Sequence, residues 1–344
     1  MPRSRRSTRA PVRSRASSSP AMYDRCGGDL PAIDLEELVA GVLKGSRRHL
    51  ARAITAVEED ESSADDLLAG LPVATNSFRI GLTGAPGVGK SSLISKLVPK
   101  LLERGERVAV LAIDPTSPLS GGALLGDRTR MPGDLGDGAW FRSIASRGAR
   151  SGVAGCTDLA AEILSRAGFG IVIIETVGVG QLEVEIGEET DQAWLLLSPE
   201  SGDAIQFLKA GIMEIVDRII VHKCDRPGAE DLMRLSKEAA RDQNVADPIG
   251  VSSQDGTGID EIAEALLEAA RCHRESPDPD RAQARILRRI RRRAEQEWVR
   301  SGLEAVGGPQ RLEEVAIKVC RSQMTLREAL ETLLTGAHDG DASG

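Results

Sequence analysis

Aromatic side chains are scarce in this chain of 344 residues, which has three Trp, one Tyr and four Phe. A large core therefore has to be built from aliphatic residues, and a 41% hydrophobic content with 36 glycines is typical of a globular α/β protein. Long apolar runs are absent as well, since none approaches the roughly 20 residues that a membrane-spanning helix needs. These absences predict a soluble protein without a membrane partner.

Paired cysteines and an excess of positive charge are also lacking. The net charge of −8 argues against a nucleic-acid partner, because phosphate backbones are bound by clustered Lys and Arg. With no C-x-x-C pair and no secretory signal, the cysteines predict core thiols in a reducing compartment, the cytoplasm. The five are scattered: Cys26, Cys156, Cys224, Cys272 and Cys320.

The N-terminus departs from this acidic balance. Residues 1–20 contain six arginines and no acidic residue, a composition found both in disordered extensions and in organellar transit peptides. Pro2, Pro11 and Pro20 interrupt an amphipathic helix. We therefore predict a disordered basic tail over residues 1–30, with targeting to the mitochondrial matrix as the alternative.

Hydrophobic periodicity organises the next two parts of the chain. Residues 31–74 predict N-terminal helices, the first of them capped by Asp34. Between residues 75 and 273, short aliphatic runs alternate with helical segments, which is typical of a doubly wound, mostly parallel α/β sheet flanked by helices. The expected strands are Arg79–Gly84, Val108–Ile113, Ile171–Glu175, Trp194–Leu197, Ile219–Val221 and Ile249–Ser252.

Residues 274–336 predict a C-terminal helical arm, and residues 337–344 a disordered tail. One helix is expected over Arg281–Val306 and a last helical stretch over about Gln310–Leu334. Seven arginines lie between positions 281 and 293. Because no aromatic residues are interleaved with them and the protein is acidic, they favour a solvated helix face or a subunit interface over nucleic-acid binding.

The first expected strand runs into a glycine-rich turn that matches G-x-x-x-x-G-K-[ST], and an apolar-striped helix follows. Glycines let the backbone wind around phosphate groups, so that its N–H groups and the helix N-terminus point at the negative charge. Lys90 is expected to reach the β- and γ-phosphates, and Ser91 to place its hydroxyl on Mg²⁺. The predicted nucleotide-binding residues here are Gly84, Ala85, Pro86, Gly87, Val88, Gly89, Lys90, Ser91 and Ser92.

Acidic residues at or after neighbouring strands are candidates for the rest of the metal site, because Mg²⁺ takes six oxygen ligands. We expect Asp114, Asp127 and Glu175 to join Ser91 as metal ligands, with helix capping or solvent exposure as the alternative for each one alone. Gly178 could bring its N–H to the γ-phosphate in a switch loop. The candidate catalytic residues are Lys90, Glu175 and Gly178.

Base selectivity is expected from two further loops. His222-Lys223-Cys224-Asp225 is similar to N-K-x-D, in which the aspartate accepts from N1–H and the exocyclic amine of guanine, a donor pair that adenine lacks. Ser252 and Ser253 follow the next strand and complete the predicted base site. Because His222 stands where an asparagine is normal, one hydrogen bond that braces the loop is expected to be weaker or replaced.

Together these segments resemble the MeaB/ArgK family of P-loop GTPases, the chaperones of methylmalonyl-CoA mutase. The resemblance covers about residues 35–275. Besides the phosphate-binding loop, it rests on four segments whose residues jointly match the family: 114–117, 120–131, 141–148 and 175–181.

The resemblance implies a P-loop NTPase fold and an Mg²⁺-dependent GTPase that binds GTP and GDP. It implies a partner, an adenosylcobalamin-dependent acyl-CoA mutase, whose cofactor loading the GTPase gates and whose loaded form it protects. It also implies a homodimer made through the C-terminal arm, and mobile loops that contain Gln181, Gln206 and Lys209. The chain departs from the family pattern in such loops at Ser151 and at residues 198–200.

Other functions stay open at this point. A metallochaperone GTPase shares the fold but needs soft or imidazole ligands, and this chain has four histidines and no His-rich tract. A GTP-dependent scaffold with little hydrolysis is compatible too, since neither a general base nor an arginine finger is identifiable. An amino-acid-transport ATPase or kinase would predict adenine preference and a membrane partner.

Overall fold

The structure is a computed structural model. It describes residues 34–59, 61, 63–74, 76–115, 136, 138–146, 152–176, 186–187, 189–202 and 211–338. The tail predicted over residues 1–30 lies outside this part, and so does the C-terminal tail apart from residues 337 and 338, which end a helix. The boundaries between the five predicted segments stay predictions.

The centre of the fold is a parallel sheet, which in the described part of the chain has seven strands. They are β1 (Phe78–Thr83), β2 (Val108–Pro115), β3 (Ala139–Ser146), β4 (Ile171–Thr176), β5 (Gln192–Leu197), β6 (Arg218–His222) and β7 (Ala246–Val251).

The strand order is β3-β2-β4-β1-β5-β6-β7. All pairs are parallel, with Ile80 opposite Ile173 of β4 on one side and opposite Gln192 of β5 on the other. The chain thus leaves β1 toward one edge of the sheet and later crosses to the other edge. Such a reversal opens a crevice at the carboxyl ends of the strands, where α/β proteins bind ligands. The predicted doubly wound sheet is confirmed.

The same part of the chain contains ten α-helices and one 3₁₀ turn (Gly211–Glu214). The helices are α1 (Leu35–Leu43), α2 (Arg47–Glu59), α3 (Ser63–Gly70), α4 (Lys90–Glu103), α5 (Gly152–Arg166), α6 (Ala229–Asp242), α7 (Ile259–Glu275), α8 (Pro279–Ala305), α9 (Gly308–Cys320) and α10 (Leu326–His338).

The two faces of the sheet are covered by different helices, because successive side chains along a strand point to opposite faces. In β2, Val110 belongs to a core shared with α4 and α7, whereas its neighbour Leu111 belongs to a core shared with α2, α3 and α5. Both side chains are fully buried. A third cluster lies between β5, β6 and α6. The aliphatic core expected from the composition is present.

Several local expectations are corrected by the structure. The edge strand β3 and the short helix α3 were not predicted. Asp34 does precede α1, but its side chain makes no capping hydrogen bond. The single helical stretch expected over Gln310–Leu334 is two helices, α9 and α10, with Ser322 at φ +56° in the turn between them.

The arginines of α8 are the main correction. The expectation of a solvated face is wrong for three of them, Arg285, Arg289 and Arg292, whose side chains are 11–16% exposed. These three and the more exposed Arg281 and Arg293 pair with carboxylates of the sheet domain (residues 75–273) and of the segment before it. Arg292 lies 3.8–3.9 Å from Glu61, Asp158 and Glu189. The other four pairs, at 2.7–2.9 Å, are Arg281–Asp217, Arg285–Asp191, Arg289–Asp158 and Arg293–Asp65.

Candidate nucleotide-binding site

The glycine-rich turn lies where the motif predicts it, between the carboxyl end of β1 and the first residue of α4. Gly84 has φ +140°, and a Cβ built there would lie 2.3 Å from the carbonyl oxygen of Leu196 in β5. Gly87 and Gly89 also have positive φ, at +75° and +107°. Only glycine adopts such conformations without strain and permits so close a backbone approach. The backbone of the loop therefore curves into a concave turn, which is the shape that phosphate binding requires.

Lys90 begins α4, and its side chain is buried although it is charged. Its Nζ donates to the carbonyl oxygens of Gly84 at 2.5 Å and Ala85 at 3.1 Å. The ammonium group thus lies inside the curve of the loop rather than in solvent. A cation held there is positioned to attract phosphate oxygens.

Ser91 and Glu175 come together across the crevice. The Ser91 hydroxyl donates to Glu175 Oε1 at 2.7 Å, and Glu175 is 7% exposed at the end of β4. A hydroxyl and a carboxylate side by side are the hard oxygen donors that Mg²⁺ prefers, with phosphate and water oxygens completing its shell. The two residues therefore fit the predicted metal site.

Other predicted metal and switch residues are only partly described. The backbone of Asp114 lies near the end of β2, next to β4, and its side chain lies outside the described part. Asp127 and Gly178 lie outside the described residues, as do Gln181, Gln206 and Lys209.

His222 ends β6 and points at the phosphate-binding loop. Its Nδ1 is 2.8 Å from the carbonyl oxygen of Val88, and its Nε2 is 2.7 Å from the hydroxyl of Ser253. The ring is 3% exposed, and burial lowers its pKa below the ordinary value. Of the two outcomes expected for the hydrogen bond of the usual asparagine, weakening or replacement, the structure has replacement, by two bonds of the imidazole.

The remaining base-site residues follow the ends of β6 and β7. Asp225 has a side chain 22% exposed, so it is accessible to a ligand. The Lys223 backbone is left-handed at φ +56°, and its Nζ donates to Glu200 at 2.7 Å. This hydrogen bond holds the pKa of Glu200 below its usual range. Ser252 is fully buried, and its hydroxyl accepts from the N–H of Gln254 at 3.3 Å, which shapes the turn after β7.

Glu200 is a residue of the site that sequence reasoning did not single out; it contacts Lys223 of the loop 222–225. It follows β5 in the segment 198–200 that departs from the family pattern, and it joins the base loop to the segment leading into residues 203–210. The only signal was that departure, since a lone surface glutamate carries no information about a lysine 23 positions later.

One end of the sheet thus carries the phosphate-binding loop with its buried Lys90, the Ser91–Glu175 pair and the loop 222–225, which is similar to the guanine motif. The family model for the methylmalonyl-CoA mutase-associated GTPase MeaB matches residues 50–305. This chain belongs to the MeaB family. The predicted family is thereby confirmed.

Relatives of this MeaB-family protein occur in organisms as different as Pyrococcus abyssi and Mus musculus. A protein of Pyrococcus abyssi is 44% identical over 198 residues, which is 57% of this chain and 61% of the relative. The mitochondrial methylmalonic aciduria type A homolog of Mus musculus is 35% identical over 262 residues, 68% of this chain and 62% of that protein. The chain thus spans about three fifths of the length of these relatives.

Among solved structures, the crystal structure of an LAO/AO transport system kinase is similar to this MeaB-family chain. It has a TM-score of 0.60 and 25% sequence identity, and the match covers 89% of this chain and 99% of that one. No helix within the described ranges is both long and apolar enough to cross a membrane. The described residues also contain no group of three or more His, Cys, Asp or Glu side chains that could hold a metal ion.

Proposed function

We propose that this MeaB-family protein is an Mg²⁺-dependent GTPase that serves as a chaperone of an adenosylcobalamin-dependent acyl-CoA mutase of the methylmalonyl-CoA mutase type. In this role it gates loading of the cofactor and protects the loaded enzyme. The observation that carries the proposal is the family match over residues 50–305, which contains the phosphate loop and both base loops. The mouse relative named for methylmalonic aciduria supports the same partner.

The nucleotide part of the proposal follows from the phosphate loop. Backbone N–H groups of residues 84–91 and the N-terminus of α4 would bind the β- and γ-phosphates. Lys90 would exchange its carbonyl partners, Gly84 and Ala85, for phosphate oxygens. Because phosphoryl transfer is catalysed largely by positioning and charge neutralisation, a lysine held beside the γ-phosphate promotes hydrolysis.

Magnesium would be held by Ser91 and supported by Glu175, whose carboxylate accepts the Ser91 hydrogen bond. The ion supplies neutralisation of charge on the β- and γ-phosphates when it is bound. Asp114 and Asp127 stay proposed ligands. Glu175 is held in place by β4, which pairs directly with β1 at Leu82, so the metal site and the phosphate loop share one rigid support.

Guanine selectivity would rest on Asp225. An ionised carboxylate at this position accepts two hydrogen bonds from guanine, and adenine presents only an acceptor at N1. We therefore expect GTP and GDP to bind at least about tenfold more tightly than ATP, since an unmatched polar edge costs on the order of 1–3 kcal/mol.

A binding experiment tests the nucleotide part. Calorimetry with GTP and Mg²⁺ should show that Lys90→Ala lowers the affinity by on the order of 100-fold, because charge-assisted bonds to phosphate are lost. Lys96→Ala is the matched control, since Lys96 lies on the same helix and is exposed. Equal affinity of wild type and Lys90→Ala would contradict the proposal.

The chaperone part is tested by phosphate release in the presence and absence of a purified methylmalonyl-CoA mutase. The proposal expects the mutase to raise GTP turnover and to be retained by the protein when a non-hydrolysable GTP analogue is bound. GTP binding without turnover under either condition would instead indicate a GTP-dependent scaffold.

The proposed homodimer is supported by the distribution of exposed apolar side chains. Eight of the eleven large ones found in the described residues lie on α8, α9 and α10, where the sheet domain does not cover them. Trp298, at 71% exposed, and Leu326, at 67%, are the most exposed of these. An apolar surface of this kind is typical of a subunit interface.

A further inference from the structure

We infer that His222 is a positioning residue that fixes the phosphate-binding loop (residues 84–91) to the two base loops (residues 222–225 and 252–253). It does so as a neutral imidazole with its proton on Nδ1. The inference deepens the proposed GTP site and rests on it. It concerns how the phosphate-binding loop and the base loops, which would bind opposite ends of the nucleotide, are kept in a fixed position relative to each other.

The hydrogen-bond partners decide the position of the proton. The atom facing Nδ1, 2.8 Å away, is the carbonyl oxygen of Val88, which can only accept. Nδ1 must therefore carry a hydrogen and donate it. The atom facing Nε2 at 2.7 Å is the Ser253 hydroxyl, which can donate. A neutral ring satisfies both contacts.

The surroundings of the ring favour this neutral form. His222 is 3% exposed; the hydrogen bond to Val88 and the charge of Asp225 raise the pKa of the ring, and the charge of Lys223 lowers it. Loss of water is the largest influence, and it opposes a positive charge on the ring.

The ring also packs directly against the phosphate loop. A Cβ built on Gly89 would lie 2.3 Å from Cε1 and 2.4 Å from Nδ1 of His222. Gly89 immediately precedes Lys90 and caps α4 with φ +107°. The absence of a side chain at Gly89 thus makes room for the imidazole, and the imidazole in turn restrains the peptide that precedes the lysine.

One side chain consequently joins three segments that are distant in sequence: residues 84–91, residues 222–225 and residues 252–253. The backbone adds a second tie, because Cys224 N–H donates to the Val251 carbonyl oxygen at 3.1 Å. The phosphate loop, by contrast, is joined to the base loops through the imidazole. Loss of the ring should therefore weaken ligands that engage both ends of the site.

Amide substitutions separate the two bonds of His222. The amide of asparagine reaches about as far as Nδ1 and the amide of glutamine about as far as Nε2, so His222→Asn keeps a donor for Val88 and His222→Gln keeps an acceptor for Ser253. His222→Leu removes both. Ser253→Ala removes the second partner while leaving the ring in place.

The experiment measures GDP and GTP affinities of these variants by calorimetry, with the chemical-denaturation midpoint of each variant as a check on folding. We expect His222→Leu to weaken GDP and GTP alike by at least about tenfold, because a buried carbonyl group loses its donor. His222→Asn and Ser253→Ala, which both keep a donor for Val88, should lose less affinity than His222→Gln, which keeps only the acceptor for Ser253. If His222→Leu does not fold, the affinities of the other three variants still test the inference. His222→Gln binding as tightly as His222→Asn would then overturn it.

Nitrogen-15 NMR of the imidazole in wild type gives a readout that general destabilisation does not move. We expect a protonated Nδ1 and an unprotonated Nε2 at pH 7.5, both in the free protein and with GDP. A protonated Nε2, or a His222→Leu variant that binds GDP as tightly as wild type, would overturn the inference. A wild type that binds no guanine nucleotide but shows the Nδ1–H signature would overturn the proposed function and not the tautomer.

Discussion

Glu189 is a buried carboxyl group whose ionisation is opposed by its surroundings. It is 7% exposed and lies near Asp158 of α5 and Arg79 of β1, and near Arg288 and Arg292 of α8. Burial, followed by the charge of Asp158, raises its pKa to about 7, although the three arginines act in the opposite direction. Between a pH of about 4.5 and about 7, the folded protein therefore keeps a proton on Glu189 that the unfolded chain has released.

The stability of the protein should depend on pH through Glu189. The contribution of the neutral carboxyl group is complete below a pH of about 4.5, the ordinary value, and is lost as the pH rises toward 7. We predict that Glu189→Gln raises the free energy of unfolding relative to wild type at pH 8, by on the order of 1 kcal/mol or more, and much less at pH 5.

Urea denaturation at the two pH values measures this difference. Glu297→Gln on α8 is the control, because Glu297 is exposed and pairs with Arg300 one turn away. A difference between Glu189→Gln and wild type that is the same at pH 5 and pH 8 would show that Glu189 is ionised in the folded protein throughout.

At the level of single residues, the sequence predicts the residues whose role depends only on their neighbours in the chain. Lys90 and Ser91 could be named because a phosphate loop needs them at fixed spacing next to its glycines. The two partners of His222 could not be named, because Val88 is 134 positions away and Ser253 is 31 positions away. Such contacts depend on which strands become neighbours in the sheet, and periodicity does not reveal this.

Helix α8 depends on its ion pairs with the rest of the molecule. It buries none of its residues fully, so apolar packing contributes little to its attachment. Arg289 donates to Asp158 at 2.7 Å, and Asp158, 1% exposed, also accepts from Arg79 at 3.0 Å. A buried carboxylate that loses one of its cations is strongly destabilising.

We predict that Arg289→Met lowers the free energy of unfolding by about 3 kcal/mol, the cost typical of breaking a buried ion pair from one side. Arg300→Met is the matched control on the same helix, because Arg300 is 62% exposed and pairs only with Glu297 and Glu304 of α8 among the described residues. It should leave stability almost unchanged. Guanidinium denaturation of both variants checks this, and equal losses would mean that α8 is not anchored through Asp158.

The elements themselves were predicted unevenly, and the reasons are physical. Buried parallel strands are continuous aliphatic runs, so six of the strands were found. The edge strand β3, with Arg142 and Ser143 only partly buried, has no such run. The boundary between α9 and α10 was missed although Thr325 and Glu328 form a capping box, in which the Thr325 N–H donates to Glu328 and the Glu328 N–H to Thr325.

At the scale of the whole molecule, the uncovered apolar side chains of α8, α9 and α10 bear on the proposed homodimer. A stable dimer buries roughly 800 Å² on each subunit, and a single Trp supplies up to about 250 Å². Trp298 is therefore the side chain whose loss should matter most. We predict that Trp298→Glu raises the dimer dissociation constant at least about tenfold, since interface tryptophans often contribute 2 kcal/mol or more.

Sedimentation velocity of the full chain across a micromolar concentration series measures this constant. Val73→Glu is the control, because Val73 is 74% exposed and lies between α3 and β1, outside the three C-terminal helices. A wild type that stays monomeric at every concentration would contradict the dimer. In that case the mutase could cover the apolar side chains of α8, since one surface cannot be covered by a second copy and by the mutase at the same time. Failure of Trp298→Glu to retain the mutase would then assign these side chains to the partner enzyme.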